Sequence, residues 1–324
     1  MGLKKLFTSF LSLRHKNNKF LFYLNGFLRL AFLKTNATKS LEKKLSKISS
    51  FNKIYIENRV NYYNKLDASA NLSDNVKPLK DFSYTGEMNT YFFDTWKHTR
   101  YFNEKNKFNY VFGDIDYVPD EPAIVKSRPI NENNQNSVLL NLNKIRHFMF
   151  VNDKIPIEEK KDMLVWRGAV YNNHKGRVRF FEKFFDSPLC NIGQINESGL
   201  DPSWIKGRMP IDEHLTYKFI LSIEGNDVAT NLKWIMSSNS VAVMPTPRHE
   251  TWFMEGTLIP DHHYLHIKDD YSDLEEKIGF YSKYPDKLKE ISRNANDYVQ
   301  QFFDEEQEDL ISLLVLKRYF EKTS

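Results

Sequence analysis

The sequence predicts an α/β protein in two parts, with mostly parallel sheets covered by helices. Three observations predict it. The chain has 324 residues, more than one ordinary core holds and suited to two domains of about 150. Its 41% hydrophobic, 15% aromatic and 27% charged residues give ample material to bury, which excludes intrinsic disorder and a collagen-like fibre. From Asp162 onward, strand and helix patterns alternate regularly, as in a parallel sheet with crossover helices.

The start of the chain is basic. Residues 1–53 carry twelve Lys/Arg and one acid, Glu42, a net +11, so the remainder carries −7 against +4 for the whole chain. Leu3, Leu6, Phe7 and Phe10 recur at helical spacing, and after Asn17-Asn18 so do Phe20, Leu24, Phe27, Leu28 and Phe32. This predicts one or two amphipathic helices with a cationic border. Such a helix suits an anionic lipid surface, where each nearby Lys or Arg contributes about 1 kcal/mol. Packing of the apolar stripe on the body of the protein is the alternative. Nucleic acid is not an expected partner: the aromatics fall on the apolar face, and no zinc-finger spacing, RNP-like strand or helix-turn-helix is evident. No run of about 18 apolar residues marks a membrane span, and no apolar core with a small-residue cleavage site marks a signal peptide. The single cysteine, Cys190, permits neither an internal disulfide nor a thiolate-rich zinc site, so the expected location is the cytosol.

Helix is expected over Ser40–Asn64, then a polar loop from Asp67 to Pro78. Short strands are expected at Tyr91-Phe92-Phe93, Asn109–Phe112 and Ala123-Ile124-Val125, and residues 131–137 read as a polar loop. In the second half, strands are expected at Met163–Trp166, Cys190–Ile195, Phe219–Ile223, Ser240–Met244 and His263–Ile267. Helices are expected at Lys175–Phe185, Val228–Ser237, Ser272–Lys283, Pro285–Phe303 and Glu305–Lys322.

Open α/β sheets bind ligands beyond the carboxyl ends of their strands, which directs attention to Asp114, Asp116, Arg128, Arg167-Gly168, Glu224-Gly225-Asn226-Asp227 and Arg248-His249-Glu250. A helix beginning just after Gly225 would aim its positive end at an anion, and Arg167 would add a bidentate clamp on a diphosphate. A plain turn and a structural ion pair are the bland alternatives. Dinucleotide, NTPase, serine-hydrolase and zincin motifs are all absent. His262, His263 and His266 read as surface or core histidines, because the neighbouring acids form no ligand set. Gly113-Asp114-Ile115-Asp116 has two chemical meanings. Its acids are either D-x-D ligands to Mn²⁺ or Mg²⁺ on a nucleotide-sugar diphosphate, or one is a general base toward an acceptor hydroxyl. Two solvated loop acids are the plain alternative.

The run from Tyr217 to Trp234, YKFILSIEGNDVATNLKW, followed by Ser240–Met244, resembles the nucleotide-sugar region of glycosyltransferase family 90. Val165-Trp166-Arg167-Gly168 is similar to that family's aromatic-Arg-Gly motif. Val125–Ile130 and Asn136–Leu140 resemble its bacterial branch, the lipopolysaccharide A proteins that build lipooligosaccharide cores. The similarity runs over roughly residues 85–300. It implies a GT-B-like fold, two Rossmann-like domains facing a cleft, and an inverting transfer that needs no metal or other cofactor. The implied donor is a UDP-hexose and the implied acceptor a lipid-linked core oligosaccharide.

Residue by residue, the resemblance implies Asp114 as general base with Asp116 as the alternate. It implies Arg167 and Gly168 at the diphosphate, with Gly225, Asn226 and Asp227 before the nucleotide-binding helix and Lys233 within it. Asn231 stands where eukaryotic members carry an arginine, so Arg177, Lys233 or Arg248 would have to supply that charge. Glu250 would hydrogen-bond the ribose, and Lys126, Ser127 and Arg128 would lie on the acceptor side. The implied organisation is a basic helical segment (1–66), an acceptor-side domain (67–155) and a nucleotide-sugar domain (156–303). A closing helix (304–324) packs along the latter or crosses back to the former. The protein would then work at the inner face of the cytoplasmic membrane. A metal-dependent GT-A transferase and a non-catalytic peripheral scaffold binding a phosphate ligand are the rival readings.

Overall fold

Residues 17–32, 37–197 and 200–323 are described by the structure, a computed structural model. Among them ten strands form: β1 (Tyr110–Val111), β2 (Ala123–Val125), β3 (Ser127–Pro129), β4 (Ser137–Leu139), β5 (Lys161–Gly168), β6 (Cys190–Gln194), β7 (Tyr217–Leu221), β8 (Val241–Met244), β9 (His249–Thr251) and β10 (Leu265–His266). The chain divides into two compact units. The first holds residues 18–145, 249–254 and 302–323, the second Arg146–Arg248 and Glu255–Gln301. The continuous blocks expected from sequence are therefore interleaved: residues 249–254 and the last helix belong with the first unit.

In the first unit β1, β2 and β4 form a parallel sheet in the order β1-β2-β4. Its central strand Ala123-Ile124-Val125 is wholly buried, which is why it reads as a continuous apolar run. β3 pairs with β9 antiparallel, setting Arg128 opposite Glu250. Helix Glu305–Thr323 packs on helices Lys53–Tyr63 and Asn89–Thr99. Buried Glu308 there pairs with Arg59 at 2.9 Å, and the Tyr63 and Trp252 rings stack at 3.7 Å.

Two expectations need correction in this unit. Tyr91-Phe92-Phe93 is not a strand but lies in helix Asn89–Thr99. A three-residue apolar run has no period of its own, and here packing of Phe92 on Phe82 and Trp96 and of Phe93 on Phe27 decides the matter. Ser40–Asn64 is not one helix. Helix Ala37–Leu45 gives way to a 3₁₀ turn at Ser46–Ser50, where the hydroxyls of Ser46 and Ser49 donate back to carbonyls three residues earlier. A new helix then starts at Lys53, capped by Asn52, whose side chain accepts from the Tyr55 N–H.

Helix Lys19–Phe32 divides its described apolar side chains between two faces. Phe22, Tyr23 and Phe27 pack on Phe93, with ring centroids 5.0–6.3 Å apart. Gly26 permits this approach, since a Cβ there would lie 2.6 Å from the Phe93 ring. Phe20, at 72% exposure, stands on the surface with Leu21, Leu24 and Leu28. The stripe expected at Leu3, Leu6, Phe7 and Phe10 lies outside the described residues.

The second unit is built on a five-stranded, wholly parallel sheet in the order β10-β8-β7-β5-β6. Counted along the chain within the unit, that is the doubly wound order 2-1-3-4-5. Leu164, Phe219, Leu221, Val243 and Leu265 are fully buried, each worth roughly 1.5–3 kcal/mol of transfer free energy. Helices Lys175–Phe184, Leu274–Lys283 and Pro285–Gln300 belong to this unit.

Candidate functional site

In the 2-1-3-4-5 order the chain reverses direction across the sheet between β5 and β7, and the crevice for a ligand opens beyond their carboxyl ends. β5 ends at Gly168, and β7 runs out through Ser222-Ile223-Glu224-Gly225. Arg177, in the first turn of helix Lys175–Phe184, bridges the two strand ends. Its guanidinium donates to the carbonyls of Ala169 (2.8 Å), Ile223 (3.2 Å) and Glu224 (3.1 Å) and lies over the Trp166 ring at 5.4 Å. Burial pushes its pKa down to about 10, opposed by Asp227 and Glu224, so the charge persists at neutral pH.

Glycine at 225 follows from this bridge, because a Cβ there would sit 2.7 Å from Arg177 Nη2. Glycine at 168 has a similar cause: its Cβ would meet the Trp166 ring at 2.4 Å. The Trp-Arg-Gly run is thus a packing unit as much as a binding signal.

Around the bridge, Asn226 Oδ1 accepts from Asn173 Nδ2 at 3.0 Å and lies 3.1 Å from His174 Nε2. Burial, then the charge of Arg177, push the His174 pKa down, which keeps its ring neutral. The Arg248 N–H donates to Glu224 Oε1 at 3.0 Å, while its guanidinium, 68% exposed, reaches Asp269 at 3.4 Å. Arg177, Gly168, Gly225, Asn226 and Arg248 therefore come together. Asn173 and His174 join them without having been read from sequence, although they occupy the βα turn to which the strand-end rule points.

Other expected members go elsewhere. The Arg167 guanidinium turns back along β5 and donates to the Asn191 carbonyl (2.7 Å) and side chain (2.8 Å), at the level of Val165. Desolvation lowers its pKa, and the charge is spent on β6 and not at the strand ends. No helix begins just after Gly225: the expected Val228–Ser237 helix is confined to Leu232–Met236. The helix start that faces the crevice is that of Lys175–Phe184. Asn231 anchors backbone, donating to the Leu221 carbonyl at 2.8 Å and accepting from Ser222. Lys233 is fully buried, and its ammonium pairs with Glu255. Asp227 is buried, and its carbonyl accepts from the Gly225 N–H.

In the first unit, Asp114 follows β1 and Gly113, whose φ of +120° favours glycine. One Asp114 oxygen accepts from Lys126, which is buried at the end of β2, and the side chain remains 30% exposed. A carboxylate beyond a parallel strand, oriented by a buried ammonium and open to solvent, is placed to take a proton. Asp116 is exposed. Among the described residues no three His, Cys, Asp or Glu side chains gather as metal ligands.

Lys126, Ser127 and Arg128 are buried. Arg128 donates to Glu250 (2.7 Å) and to the carbonyls of Tyr62, Tyr63 and Ser137. The second Glu250 oxygen accepts from Tyr62 Oη. Both Glu250 oxygens are thus engaged by Arg128 and Tyr62, and the residue is 2% exposed. His263 accepts from the Ile259 N–H and is driven down to about 4 by burial and by His262, a fixed loop histidine.

The model of glycosyl transferase family 90 matches residues 140–320 of this chain. The O-glucosyltransferase LpsA of Dichelobacter nodosus is 42% identical over 295 residues, covering 91% of this chain and 92% of that protein. The chain belongs to glycosyltransferase family 90. A second relative, protein 179R of Invertebrate iridescent virus 6, is 33% identical over 102 residues, 29% of this chain and 8% of that protein. Among solved structures, a sucrose-phosphate synthase from Thermosynechococcus elongatus superposes on 52% of this chain and 47% of its own at a TM-score of 0.36, with 12% identity. Family membership makes the protein a glycosyltransferase, and each unit carries the parallel sheet that the resemblance implies.

Proposed function

We propose that the protein transfers a hexose, glucose by analogy with its Dichelobacter relative, from a UDP-sugar to a hydroxyl of a lipooligosaccharide core, with inversion and without a metal. Asp114 is the general base. The observation that carries the reading is Asp114 itself: a part-exposed carboxylate after a parallel strand, with Lys126 and not a second acid on its oxygen. In the second unit the diphosphate would lie at the start of helix Lys175–Phe184, beside Gly225 and the charges of Arg177 and Arg248. Fixed positive charge there stabilises the departing UDP. As Asp114 removes the acceptor proton, the acceptor oxygen bonds to the anomeric carbon and the bond to UDP breaks on the opposite side.

UDP release measured over a panel of UDP-sugars, with a truncated lipooligosaccharide acceptor and with or without EDTA, tests this. Chelator-resistant turnover with one donor is expected. Turnover abolished by EDTA would replace the base by a D-x-D metal site, and nucleotide binding without turnover on any acceptor would favour the scaffold reading. Gly225→Ala is expected to raise the donor KM about 10- to 150-fold, because its methyl displaces a guanidinium held by three carbonyls, a loss of about 1.5–3 kcal/mol. A donor KM within twofold of wild type would remove Gly225 from the donor site.

The lipid-linked acceptor requires the enzyme to meet a membrane, and no described helix is long and apolar enough to cross one. The exposed Phe20, Leu21, Leu24 and Leu28, within a segment of net charge +11, support contact with the anionic inner leaflet. In flotation with vesicles containing 30% phosphatidylglycerol, Phe20→Ser/Leu24→Ser is expected to reduce binding several-fold. Equal flotation of variant and wild type would end the membrane role of this face.

A further inference from the structure

A cavity of about 540 Å³ opens in the first unit, lined in part by Asp81, Phe82, Phe108, Tyr110, Asp120 and Glu121. It lies at the leading ends of the strands: Phe108 and Asn109 precede β1, and residues 119–121 precede β2. Asp114, by contrast, follows the trailing end of β1. The cavity is therefore separate from the catalytic end of the sheet.

Its size falls in the range of small-molecule sites. The apolar wall comprises Val76, Pro78, Pro119 and an exposed Tyr110 ring backed by buried Phe82 and Phe108. Phe82, Phe108 and Tyr110 form a mutual cluster with centroids 5.0–5.4 Å apart, and Tyr110 is 41% exposed. The polar side carries the carboxylates of Asp81, Asp120 and Glu121 and the amides of Asn75 and Asn109. These walls are fixed before any ligand arrives. Asn136 Nδ2 donates to the carbonyls of Pro119 and Asp120, Glu121 accepts from the Ser73 N–H, and Lys107 ties down the carbonyls of Leu72 and Ser73.

An aromatic face beside several hydroxyl acceptors matches a pyranose, which has an apolar C–H face and a rim of O–H donors. Among the described lining residues Lys77 is the one ammonium against three carboxylates, with Lys107 bonded behind the wall, a balance that disfavours phosphates and nucleotides. We infer that this cavity is a secondary glycan subsite, which holds unphosphorylated sugars of the acceptor away from the reacting hydroxyl. The identity of the glycan rests on the transferase reading above; the site itself rests on the cavity. Such a subsite would select acceptors by their length and by sugars that never react.

Ligand-observed NMR of the full chain tests it, with no donor present. The probe is lipooligosaccharide core oligosaccharide, delipidated and dephosphorylated. Saturation transfer to the glycan is expected in wild type, with affinity about tenfold weaker, near 1.4 kcal/mol, in Tyr110→Ala and in Asp81→Asn/Asp120→Asn. The second variant alters only exposed acids, so misfolding of the first leaves the test intact. No saturation transfer in wild type, or variants that bind as wild type does, would overturn the subsite. Displacement of the glycan signal by spermine at equimolar concentration would also overturn it, in favour of a cation site. Glycan binding that depends on Tyr110, in a protein that releases UDP from no UDP-sugar, would sink the transferase reading and leave the subsite standing.

Discussion

Asp114→Asn is expected to lower kcat by a factor of about 10² to 10⁴, the usual contribution of a positioned general base, while the fold survives. The amide is nearly isosteric and its oxygen still accepts from Lys126, so the link between the ends of β1 and β2 is kept. What is lost is the capacity to accept a proton. Asp116→Asn, altering an exposed loop acid two residues on, is expected to stay within a few-fold of wild type. Progress curves for both variants, with circular dichroism to confirm folding, decide between them. If Asp116→Asn shows the large loss and Asp114→Asn does not, the base is Asp116. A large loss in both, together with sensitivity to chelator, would make them metal ligands.

Arg128→Met is expected to destabilise the first unit by about 3–5 kcal/mol, because it strands a buried carboxylate. Glu250 would keep Tyr62 as its hydrogen-bond donor and only the part-exposed Lys65 as a charge partner, and the carbonyls of Tyr62, Tyr63 and Ser137 would lose their shared donor. At roughly 2–4 °C per kcal/mol for a unit of this size, a fall of about 10 °C in its melting transition follows. Arg128→Met/Glu250→Met removes the charge as a pair and is expected to recover part of the loss. The outcome separates structural from ligand-binding roles for both residues. An unchanged melting temperature with a raised acceptor or donor KM would return Arg128 and Glu250 to the binding site.

Much of the fold was legible because its strands are buried on both faces. β2, β5, β7 and β8 read as apolar runs with turn signals, and buried parallel strands have that pattern whatever they pack against. Tyr91-Phe92-Phe93 was not legible, since three aromatics fit a strand or a helix equally until Phe82 and helix Lys19–Phe32 are placed against them. The break at Ser46–Ser50 was written in its serines, but their pull against helix propensity is weak and easily outvoted.

For the candidate site, sequence position indicated the strand-end loops, but which side chains reach them was not legible. Arg167 and Arg177 look equivalent as cations near a strand end. Only the geometry shows Arg167 folded back on Asn191 and Arg177 clasping three carbonyls under Gly225. The pairing of Lys233 with Glu255 and of Glu250 with Arg128 was hidden for the same reason, since each partner is remote or unmarked in the sequence.

By itself the sequence determined the α/β class, the family and the segments that carry chemistry. Those are recorded in local hydrophobic runs, glycine positions and the order of motifs along the chain. The tertiary structure alone decided which charges are spent on the fold and which remain for a ligand. It also gathered the cavity beneath β1 from segments between Ser73 and Glu121 in the sequence. The physical reason is common to both: a charge or a ring acquires its role from what surrounds it, and burial and pairing are properties of places that distant parts of the chain build together.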